Sequence, residues 1–391
     1  MAPVVDDDRM RVHSRLMSPL DWDLGHIAAF EDLWLNVRMG GLEPIRPDLM
    51  EVYDACETPR TYRGELPFLH ASEVWDFMDE VRERTLTTLA HAEDPFILEM
   101  LTEHEHQHNE TMVQTLLLAK PGTITTRPRR EWPSVGANQD TMVRIEAGNF
   151  PCGDDGEGFA YDNERARHHP FVEDFDIDLT PVTNGAYREW VESGGYRRRE
   201  WWSPEGWAWL DRTGVGRPLF WTQDGLERQF DRVEPIEEWQ PVAHVSWYEA
   251  EAFAQAHGKR LPTELEWEKA AGGGDRVYPW GNEYSPGHTN LDTLAWSRGP
   301  AGAFAAGASP YGVLGMIGDV WEWTASEFNP WPGFMPYPYR EYSEVFFGKG
   351  YRVLRGGSWA TRPATIRNTF RNWDLPERRQ ILAGFRCARD A

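Results

Sequence analysis

The first third of the chain alternates apolar and polar residues with the period of an α-helix. Apolar side chains recur about every 3.6 residues in three segments, and glycine and proline residues separate these segments. The pattern predicts amphipathic helices near Asp21–Met39, Ser72–Ala90 and Pro95–Lys120. Because such helices bury their apolar stripes against one another, residues 1–125 are predicted to form a small helical bundle.

A different texture follows the predicted bundle. Residues 126–140 are rich in proline and charge and lack periodicity, which is typical of a linker. Beyond them, short strand-like runs such as Met142–Ile145 and Phe175–Leu179 alternate with long connections rich in glycine, proline and tryptophan. The sequence therefore predicts an α+β protein, in which a helical bundle precedes a second domain, residues 141–391, of low regular secondary structure.

The third predicted helix carries two histidines within its apolar stripe. On a helical projection, His104 and His108 share one narrow face, whereas His106 and Glu110 point nearly the opposite way. Four apolar residues complete that face: Ile97, Leu101, Met112 and Ala119. Imidazoles at positions i and i+4 lie close enough to hold one metal ion. Two core histidines satisfied by hydrogen bonds would give the same pattern, so the pair alone leaves both interpretations open.

A further histidine lies in the first predicted helix. His26 stands among its apolar positions, which include Trp22, Ile27 and Phe30, rather than on its charged side. A buried imidazole needs a partner, and a metal ion or a backbone carbonyl can supply one. His26 is therefore the candidate third ligand, with a hydrogen-bonded core histidine as the alternative.

Composition narrows the classes of partner and the compartment. Lys+Arg number 40 against 63 Asp+Glu, and the resulting net charge of −23 argues against a nucleic-acid surface or an anionic membrane patch. The three cysteines, Cys56, Cys152 and Cys387, are widely separated and predict neither a disulfide framework nor a cysteine zinc site. No leader pattern opens the chain, and no segment approaches the roughly 18 apolar residues of a membrane span. We therefore expect a cytoplasmic protein.

A series of short motifs runs in order through the second domain. Most look like scaffold, because they combine glycine and proline turns with tryptophan anchors, and Thr263–Glu266 has the pattern of a helix capping box. The motifs are Pro181–Asn184, Pro241–Trp247, Gly258–Ala271, Tyr278–Asn282, Gly318–Trp323, Arg355–Trp359 and Gly384–Arg386. Together they resemble the formylglycine-generating-enzyme (sulfatase-modifying factor) fold. The resemblance implies a C-type-lectin-like domain and leaves the chemistry open.

The cysteine positions separate this chain from the formylglycine-generating enzymes. Those enzymes use a copper-binding cysteine pair shortly after the Gly-Gly-Ser-aromatic motif, and Thr361 and Ile366 stand there instead. That activity is expected to be absent. A histidine-bearing bundle of the DinB type in front of this fold is instead the layout of the sulfoxide synthases of ergothioneine biosynthesis, the EgtB family. The chain resembles that family over essentially its whole length.

The resemblance implies a metal and a reaction. In that family three histidines hold a mononuclear non-haem Fe(II), and the matching residues are His26, His104 and His108. The implied reaction joins the sulfur of γ-glutamylcysteine to C2 of the imidazole of hercynine (Nα-trimethylhistidine), with oxidation of the sulfur to a sulfoxide by O2. Free cysteine as the thiol stays open, as does a structural Ca2+ in the second domain. These small molecules are the expected partners of a monomeric enzyme.

The same resemblance assigns the substrate-binding and catalytic residues. The carboxylates of γ-glutamylcysteine are expected to meet a cluster of four residues: Arg60, Arg63, Asp374 and Arg378. The expected hercynine contacts are Gln107, Asn372 and Trp373. From the loop that follows Trp331, Tyr339 is the expected proton donor and Tyr342 a binding residue, with Tyr337 as the rival for catalysis. Surface ion pairs and ordinary packing are the alternatives for all of these side chains.

Two other classes of function compete with this one. The run His104-Glu105-His106-Gln107-His108 satisfies the H-E-x-x-H pattern of zinc metalloproteases, although no GxxH extension follows it. A non-catalytic binding module is the other alternative, since formylglycine-enzyme-like folds also display ligands. The three histidines on two apolar faces argue against such a module.

Overall fold

A computed structural model describes residues 4–89, 94–124, 132, 141–156 and 158–391. The chain divides into two compact units, Met1–Thr126 with Gln229–Arg232, and Arg127–Arg228 with Val233–Ala391. The predicted linker, residues 126–140, lies outside the described residues except for Trp132. Among the described residues, no helix combines the length and the apolar character that crossing a membrane requires.

The first unit is helical. Its α-helices are α1 (Asp6–Arg9), α2 (Leu20–Glu31), α3 (Ser72–Thr88) and α4 (Pro95–Leu118), and α2 continues as a π-helix over Asp32–Met39. These bounds confirm the three predicted helices to within about two residues of each described end. Helix α4 starts where the sequence dictates, because the Asp94 side chain accepts from the Phe96 amide and Pro95 occupies the first turn.

Helix α2 is the central element of the first unit. It packs against both α3 and α4, and every residue from Leu20 to Ala29 is buried. A helix that is enclosed on all sides should be apolar throughout. Between Leu20 and Ala29, three polar side chains, Asp21, Asp23 and His26, are nevertheless buried, and each must find a partner. The partners of Asp23 and His26 define the candidate site.

The second unit is a mixed α+β structure. Its helices are α5 (Asn184–Glu192), α6 (Pro204–Thr213), α7 (Trp247–Ala256) and α8 (Glu264–Ala271). The predicted capping box is confirmed at α8, where the Glu266 amide donates to Thr263 Oγ1 over 3.2 Å and the Thr263 amide donates to Glu266 Oε2 over 2.7 Å. Long irregular connections join the elements, in agreement with the predicted low content of regular structure.

Short strands form two small sheets and two hairpin-like ladders. The strands are β1 (Met142–Ile145), β2 (Gly148–Asn149), β3 (Phe171–Val172), β4 (Phe175–Asp178), β5 (Leu226–Gln229), β6 (Arg232–Pro235), β7 (Trp321–Glu327), β8 (Arg352–Arg355), β9 (Asn372–Asp374), β10 (Ala383–Gly384) and β11 (Ala388–Asp390). The sheet orders are β1-β4-β11 and β10-β7-β8-β9, with β2-β3 and β5-β6 as separate pairs. Strands β1 and β4 confirm the two strand predictions.

Buried arginine–glutamate pairs hold the irregular parts of the second unit together. In each pair the guanidinium lies within hydrogen-bonding distance of a buried carboxylate, which satisfies charges that would be costly alone. The pairs are Glu164–Arg367, Glu227–Arg298, Glu264–Arg371, Glu268–Arg355 and Glu322–Arg386. Arg355 and Arg386 belong to motifs interpreted as scaffold from the sequence, and their contacts agree with that interpretation.

Candidate metal centre and tyrosine loop

Helices α2 and α4 bring three histidines together. His26 Nε2 lies 3.0 Å from His104 Nε2, and the three ring centroids of His26, His104 and His108 are 4.6–4.9 Å apart. One nitrogen from each ring can be chosen so that all three lie within 4.8 Å of one another. The side chains predicted as ligands therefore converge, and nitrogen atoms at these separations can bind one divalent ion.

The surroundings of the cluster favour neutral imidazoles. Burial lowers the pKa of His26 and of His104 well below the ordinary value, and the neighbouring His108 lowers both further. His26 Nδ1 donates to the Tyr53 carbonyl over 2.7 Å, so its Nε2 carries the lone pair that faces the cluster. A Cβ at Gly25 would lie 2.2 Å from Tyr53 Cζ, which is why a glycine precedes His26. Neutral imidazole is the form that binds a metal ion.

A buried carboxylate supports the cluster from behind. Asp23 is fully buried, its Oδ1 lies 3.4 Å from His108 Nδ1, and neither carboxylate oxygen has a hydrogen-bond partner among the described residues. An uncompensated buried carboxylate is costly, and a cation bound by the histidines would offset its charge. Carboxylate–imidazole–metal arrangements are common because the carboxylate orients the ring and raises its basicity. The residues present therefore fit a bound divalent cation.

Asp23 was missed in the sequence, and it supplies a test of the centre. Replacing Asp23 by asparagine removes the charge and keeps the size, so Fe(II) affinity should fall about 10–100-fold while the fold persists. Anaerobic titration of the metal-free protein with Fe(II) measures this effect. The matched control is Asp21→Asn, because Asp21 is equally buried but accepts from Arg9 Nε and the Ala71 amide. Unchanged Fe(II) affinity in Asp23→Asn would contradict the supporting role.

The predicted arginines of the first unit differ in environment. Arg60 is half-buried, whereas Arg63 is buried and donates through Nε to the Thr58 carbonyl over 2.8 Å and through Nη1 to Ser18 Oγ over 2.9 Å. Its guanidinium carbon lies 3.8 Å from the Trp22 ring centroid. Burial lowers the pKa of Arg63 to about 10, so it stays charged at neutral pH. These contacts give Arg63 a structural role, and substrate binding by either arginine stays a prediction.

The Trp22 side chain lies between Arg63 and His26. The Trp22 ring, on which Arg63 lies, stacks on His26 with centroids 5.1 Å apart and an interplanar angle of 11°.

On helix α4, half-buried Gln107 lies between the two predicted ligands His104 and His108, and its backbone carbonyl accepts from Thr111 Oγ1 over 3.1 Å. The predicted hercynine contact of Gln107 stays a prediction.

Strand β9 presents the predicted binding residues of the second unit. Asn372, Trp373 and Asp374 follow one another along it, and all three are partly exposed. Arg378 Nε lies 3.5 Å from Asp374 Oδ1, so the two predicted carboxylate-binding residues meet. The Trp373 ring stacks on Phe328 with centroids 4.0 Å apart. The structure thus brings this part of the predicted set together on one strand and the turn that follows it.

The loop of residues 331–343, here called the tyrosine loop, carries the three predicted tyrosines. The rings of Tyr339 and Tyr342 lie 6.2 Å apart, and Tyr342 lies edge-on to Trp373 at 5.7 Å. Tyr337 is more exposed, with 46% of its surface accessible. Tyr342 therefore links the loop to strand β9. Which tyrosine donates a proton stays a prediction, with Tyr339 as the choice.

The positions of the formylglycine-enzyme cysteines are filled by packing residues. Thr361 is 2% exposed and accepts the Ser358 amide at Oγ1 over 2.8 Å, and Ile366 is 1% exposed. Among the described residues, Cys56, Cys152 and Cys387 form no disulfide. Burial raises the pKa of Cys152 and of Cys387 well above the usual range, which keeps both protonated. The described residues at these positions therefore offer no cysteine pair for copper.

Comparison with known proteins agrees with this geometry. Residues 129–391 match the sulfatase-modifying factor enzyme 1-like domain family. A hercynine oxygenase of Mycolicibacterium thermoresistibile is 44% identical over 405 residues, covering 98% of this chain and 90% of the relative. That of Mycobacterium tuberculosis is 44% identical over 399 residues, covering 96% and 92%. The mouse inactive C-alpha-formylglycine-generating enzyme 2 is 32% identical and covers 65% of this chain and 87% of its own length. The chain therefore belongs to the hercynine oxygenase family and is an oxidoreductase of the oxygenase type.

Proposed function

We propose that this protein is a sulfoxide synthase of ergothioneine biosynthesis that uses Fe(II) and O2. Its substrates are hercynine and γ-glutamylcysteine, and its product carries the thiol sulfur, as a sulfoxide, on C2 of the imidazole. The observation that carries the proposal is the cluster of three histidines whose nitrogens lie within 4.8 Å, in a chain 44% identical to a hercynine oxygenase. Three cysteines without a disulfide in the described part of the chain fit a reducing, cytoplasmic setting.

The reaction balances without an external reductant. A hydrogen leaves the thiol and another leaves C2 of the imidazole, while the carbon–sulfur bond forms. One oxygen atom of O2 ends in the sulfoxide and the other leaves as water. The two organic substrates thus supply all of the electrons that O2 takes up.

The first unit contributes the metal ligands. His26, His104 and His108 would hold Fe(II), which would supply a Lewis-acidic centre where a thiolate and O2 come together. Asp23 orients His108 and compensates the charge of the cation. The Tyr53 carbonyl holds His26 in the tautomer that leaves Nε2 free to bind. Three neutral ligands and one nearby carboxylate would leave a divalent cation with net positive charge, which favours binding of a thiolate.

Strand β9, Arg378 and the tyrosine loop carry the groups proposed to position the substrates. The face of Trp373 can meet the trimethylammonium of hercynine, a cation–π contact on the order of 1–2 kcal/mol. Arg378, beside Asp374, can bind a carboxylate of γ-glutamylcysteine through charge-assisted hydrogen bonds. Tyr339 is assigned to deliver a proton from Oη to the oxygen atom that leaves as water. A phenol can do so without bringing a charge into a dry site.

Incubation of anaerobically purified protein with Fe(II), O2, hercynine and each thiol tests the proposal. Mass analysis should detect the sulfoxide conjugate of γ-glutamylcysteine and hercynine. If the conjugate forms only from free cysteine, free cysteine takes the place of γ-glutamylcysteine as the thiol substrate. Absence of conjugate with both thiols would overturn the proposed function. A parallel reaction with Zn(II) in place of Fe(II) is the control for the requirement for iron.

The metalloprotease alternative fits the geometry less well. The glutamate of the H-E-x-x-H pattern would act as general base beside the metal. Here Glu105 Oε2 lies 3.4 Å from Arg82 Nη2, and both side chains are exposed. The third histidine of the cluster is His26, which precedes the pattern instead of following it.

The choice of thiol gives a quantitative prediction at Arg378. Losing a charge-assisted contact to a substrate carboxylate costs about 1.5–3 kcal/mol, or roughly tenfold to a few hundredfold in kcat/KM. Arg378→Ala should therefore lower kcat/KM for γ-glutamylcysteine by that factor and affect free cysteine far less. The control is Arg212→Ala, which breaks the exposed ion pair with neighbouring Glu377. Equal losses with both thiols would mean that the carboxylate pocket is misassigned.

A further inference from the structure

We propose that the turn Tyr161–Glu164, here called the anchor turn, is the positioning element of the tyrosine loop. In this inference Tyr161 and Asp162 are positioning residues that fix where the hydroxyls of Tyr339 and Tyr342 lie. The inference rests on the proposed function, because it assigns the turn a role in the reaction of those tyrosines. None of the sequence motifs includes the anchor turn.

Asp162 holds the loop on both sides of the two tyrosines. Its carboxylate accepts the Ser343 hydroxyl at Oδ1 and the Tyr337 amide at Oδ2, the latter over 3.4 Å. Asn163 Nδ2 donates to Ser343 Oγ over 3.0 Å. Asp162 is 3% exposed and Ser343 fully buried, so water does not compete for these bonds. Because Tyr339 lies between Tyr337 and Ser343, the turn restricts the backbone that carries it.

Tyr161 holds the same loop through its ring. It stacks on Tyr342 with centroids 4.1 Å apart and an interplanar angle of 10°. Two further rings lie edge-on to Tyr342, Trp373 at 87° and Tyr339 at 81°. Tyr342 therefore stacks face to face with Tyr161 of the anchor turn, and it meets Trp373 and Tyr339 edge to face. A shift of the Tyr161 ring would change the position of both loop tyrosines.

The anchor turn is itself fixed to the chain that enters strand β9. Glu164 pairs with Arg367, accepts from Thr369 Oγ1 over 2.7 Å, and accepts the Tyr161 amide over 2.9 Å. Arg371 Nη1 donates to the Asn163 carbonyl over 2.8 Å. Strand β9 begins at the next residue and carries the predicted binding residues. One buried network thus fixes the position of the loop tyrosines relative to strand β9.

The charge of Asp162 strengthens its hold on the loop. Burial raises the pKa of Asp162 to about 6, with nearby Glu164 adding to the rise and the Ser343 and Tyr337 hydrogen bonds opposing it. The carboxylate is therefore mostly ionised at neutral pH, and its hydrogen bonds are of the stronger, charge-assisted type.

The rate of proton delivery depends steeply on the position of the donor, since a displacement of about 1 Å can cost roughly 100-fold in rate.

The chemical test is the product ratio. Without a correctly placed proton donor, the thiol and O2 can combine alone, giving a sulfinic acid that takes up both oxygen atoms and leaves hercynine unchanged. Tyr161→Leu and Asp162→Asn should raise the ratio of sulfinic acid to sulfoxide about tenfold, toward the ratio of Tyr339→Phe. Tyr161→Phe keeps the stacked ring and should keep the wild-type ratio. Combining Tyr161→Leu with Tyr339→Phe should change the ratio no further than Tyr339→Phe alone.

A structural readout makes the inference testable apart from the reaction. Amide hydrogen exchange in residues 337–343 should speed up about tenfold in Asp162→Asn, while iron content stays at the wild-type level. Met335→Ala is the control, because Met335 lies on the same loop and is 77% exposed. It should change neither the exchange nor the product ratio.

The outcomes separate the inference from the proposed function. A wild-type product ratio in Tyr161→Leu together with unchanged exchange in Asp162→Asn would overturn the anchor. Faster exchange with an unchanged product ratio would overturn its role in the reaction. If the wild-type protein forms no sulfoxide, the proposed function fails, and the exchange measurement still decides whether the turn holds the loop.

Discussion

Replacing His104 by alanine is expected to remove most of the bound metal and all measurable sulfoxide formation, while the helical unit stays folded. His104 supplies one of three converging nitrogens. Loss of a supporting residue lowers metal affinity about 10–100-fold, and loss of a direct ligand should lower it further. His104 is a better choice than His26, because the His26 ring also donates to the Tyr53 carbonyl over 2.7 Å. Replacing His26 would therefore break a buried hydrogen bond as well as removing a ligand.

Metal analysis after anaerobic reconstitution with Fe(II), together with circular dichroism, measures the result. The matched control is His106→Ala, two residues along the same helix, because His106 is not among the three converging histidines. It should keep its iron and its activity. Full iron occupancy in both His104→Ala and His108→Ala would contradict the assignment of the centre.

Replacing Arg386 by methionine is expected to lower the free energy of unfolding of the second unit by about 3–5 kcal/mol. Arg386 is fully buried, and its Nε and Nη2 each donate to Glu322 over 2.7 Å. Glu322 also accepts Trp267 Nε1 over 2.8 Å. Removing the arginine leaves the carboxylate of Glu322, a residue that is 1% exposed, with Trp267 Nε1 as its donor among the described side chains. Urea unfolding followed by tryptophan fluorescence measures the loss, since most of the 20 tryptophans follow residue 126.

The control for Arg386 lies three residues further along the chain. Arg389 Nη2 lies 2.6 Å from Asp176 Oδ2, a similar distance, but the arginine side chain is 54% exposed. Exposed ion pairs contribute about 0–1 kcal/mol, so Arg389→Ala should shift the unfolding midpoint little. Adding Glu322→Met to Arg386→Met should restore part of the stability, because it removes the stranded charge. Equal losses at Arg386 and Arg389 would contradict the importance of burial.

Local pattern was sufficient for the helices and for the cluster of three histidines. Helical periodicity gave Ser72 and Pro95 as the first residues of α3 and α4. The i and i+4 spacing of His104 and His108 already placed both imidazoles on one face, and the position of His26 among apolar residues pointed it inward. Such features depend on neighbours within about one turn of helix, and sequence reports them directly.

The missed residues depend on partners that are distant along the chain. Asp23 looks like any helical carboxylate until α2 is seen to be enclosed on all sides. Asp162 meets Ser343 across 181 residues, and no periodicity in either segment signals the contact. The buried contacts of Arg63 likewise follow from how the Ser18 and Thr58 segments fold back on it. Tertiary packing, not local propensity, decides these roles.

The position of strand β11 bears on how the protein is synthesised. Strand β11 pairs with β4, and the Cys387 amide donates to Asp178 across 209 residues, so this sheet can form only after residues 388–390 have left the ribosome. Helices α2, α3 and α4 lie within the first 118 residues and can pack while translation continues. Until residues 388–390 emerge, β4 keeps an open edge that can pair with other chains. The nascent chain therefore keeps this aggregation-prone edge after its histidine-bearing helices have formed, until residues 388–390 emerge.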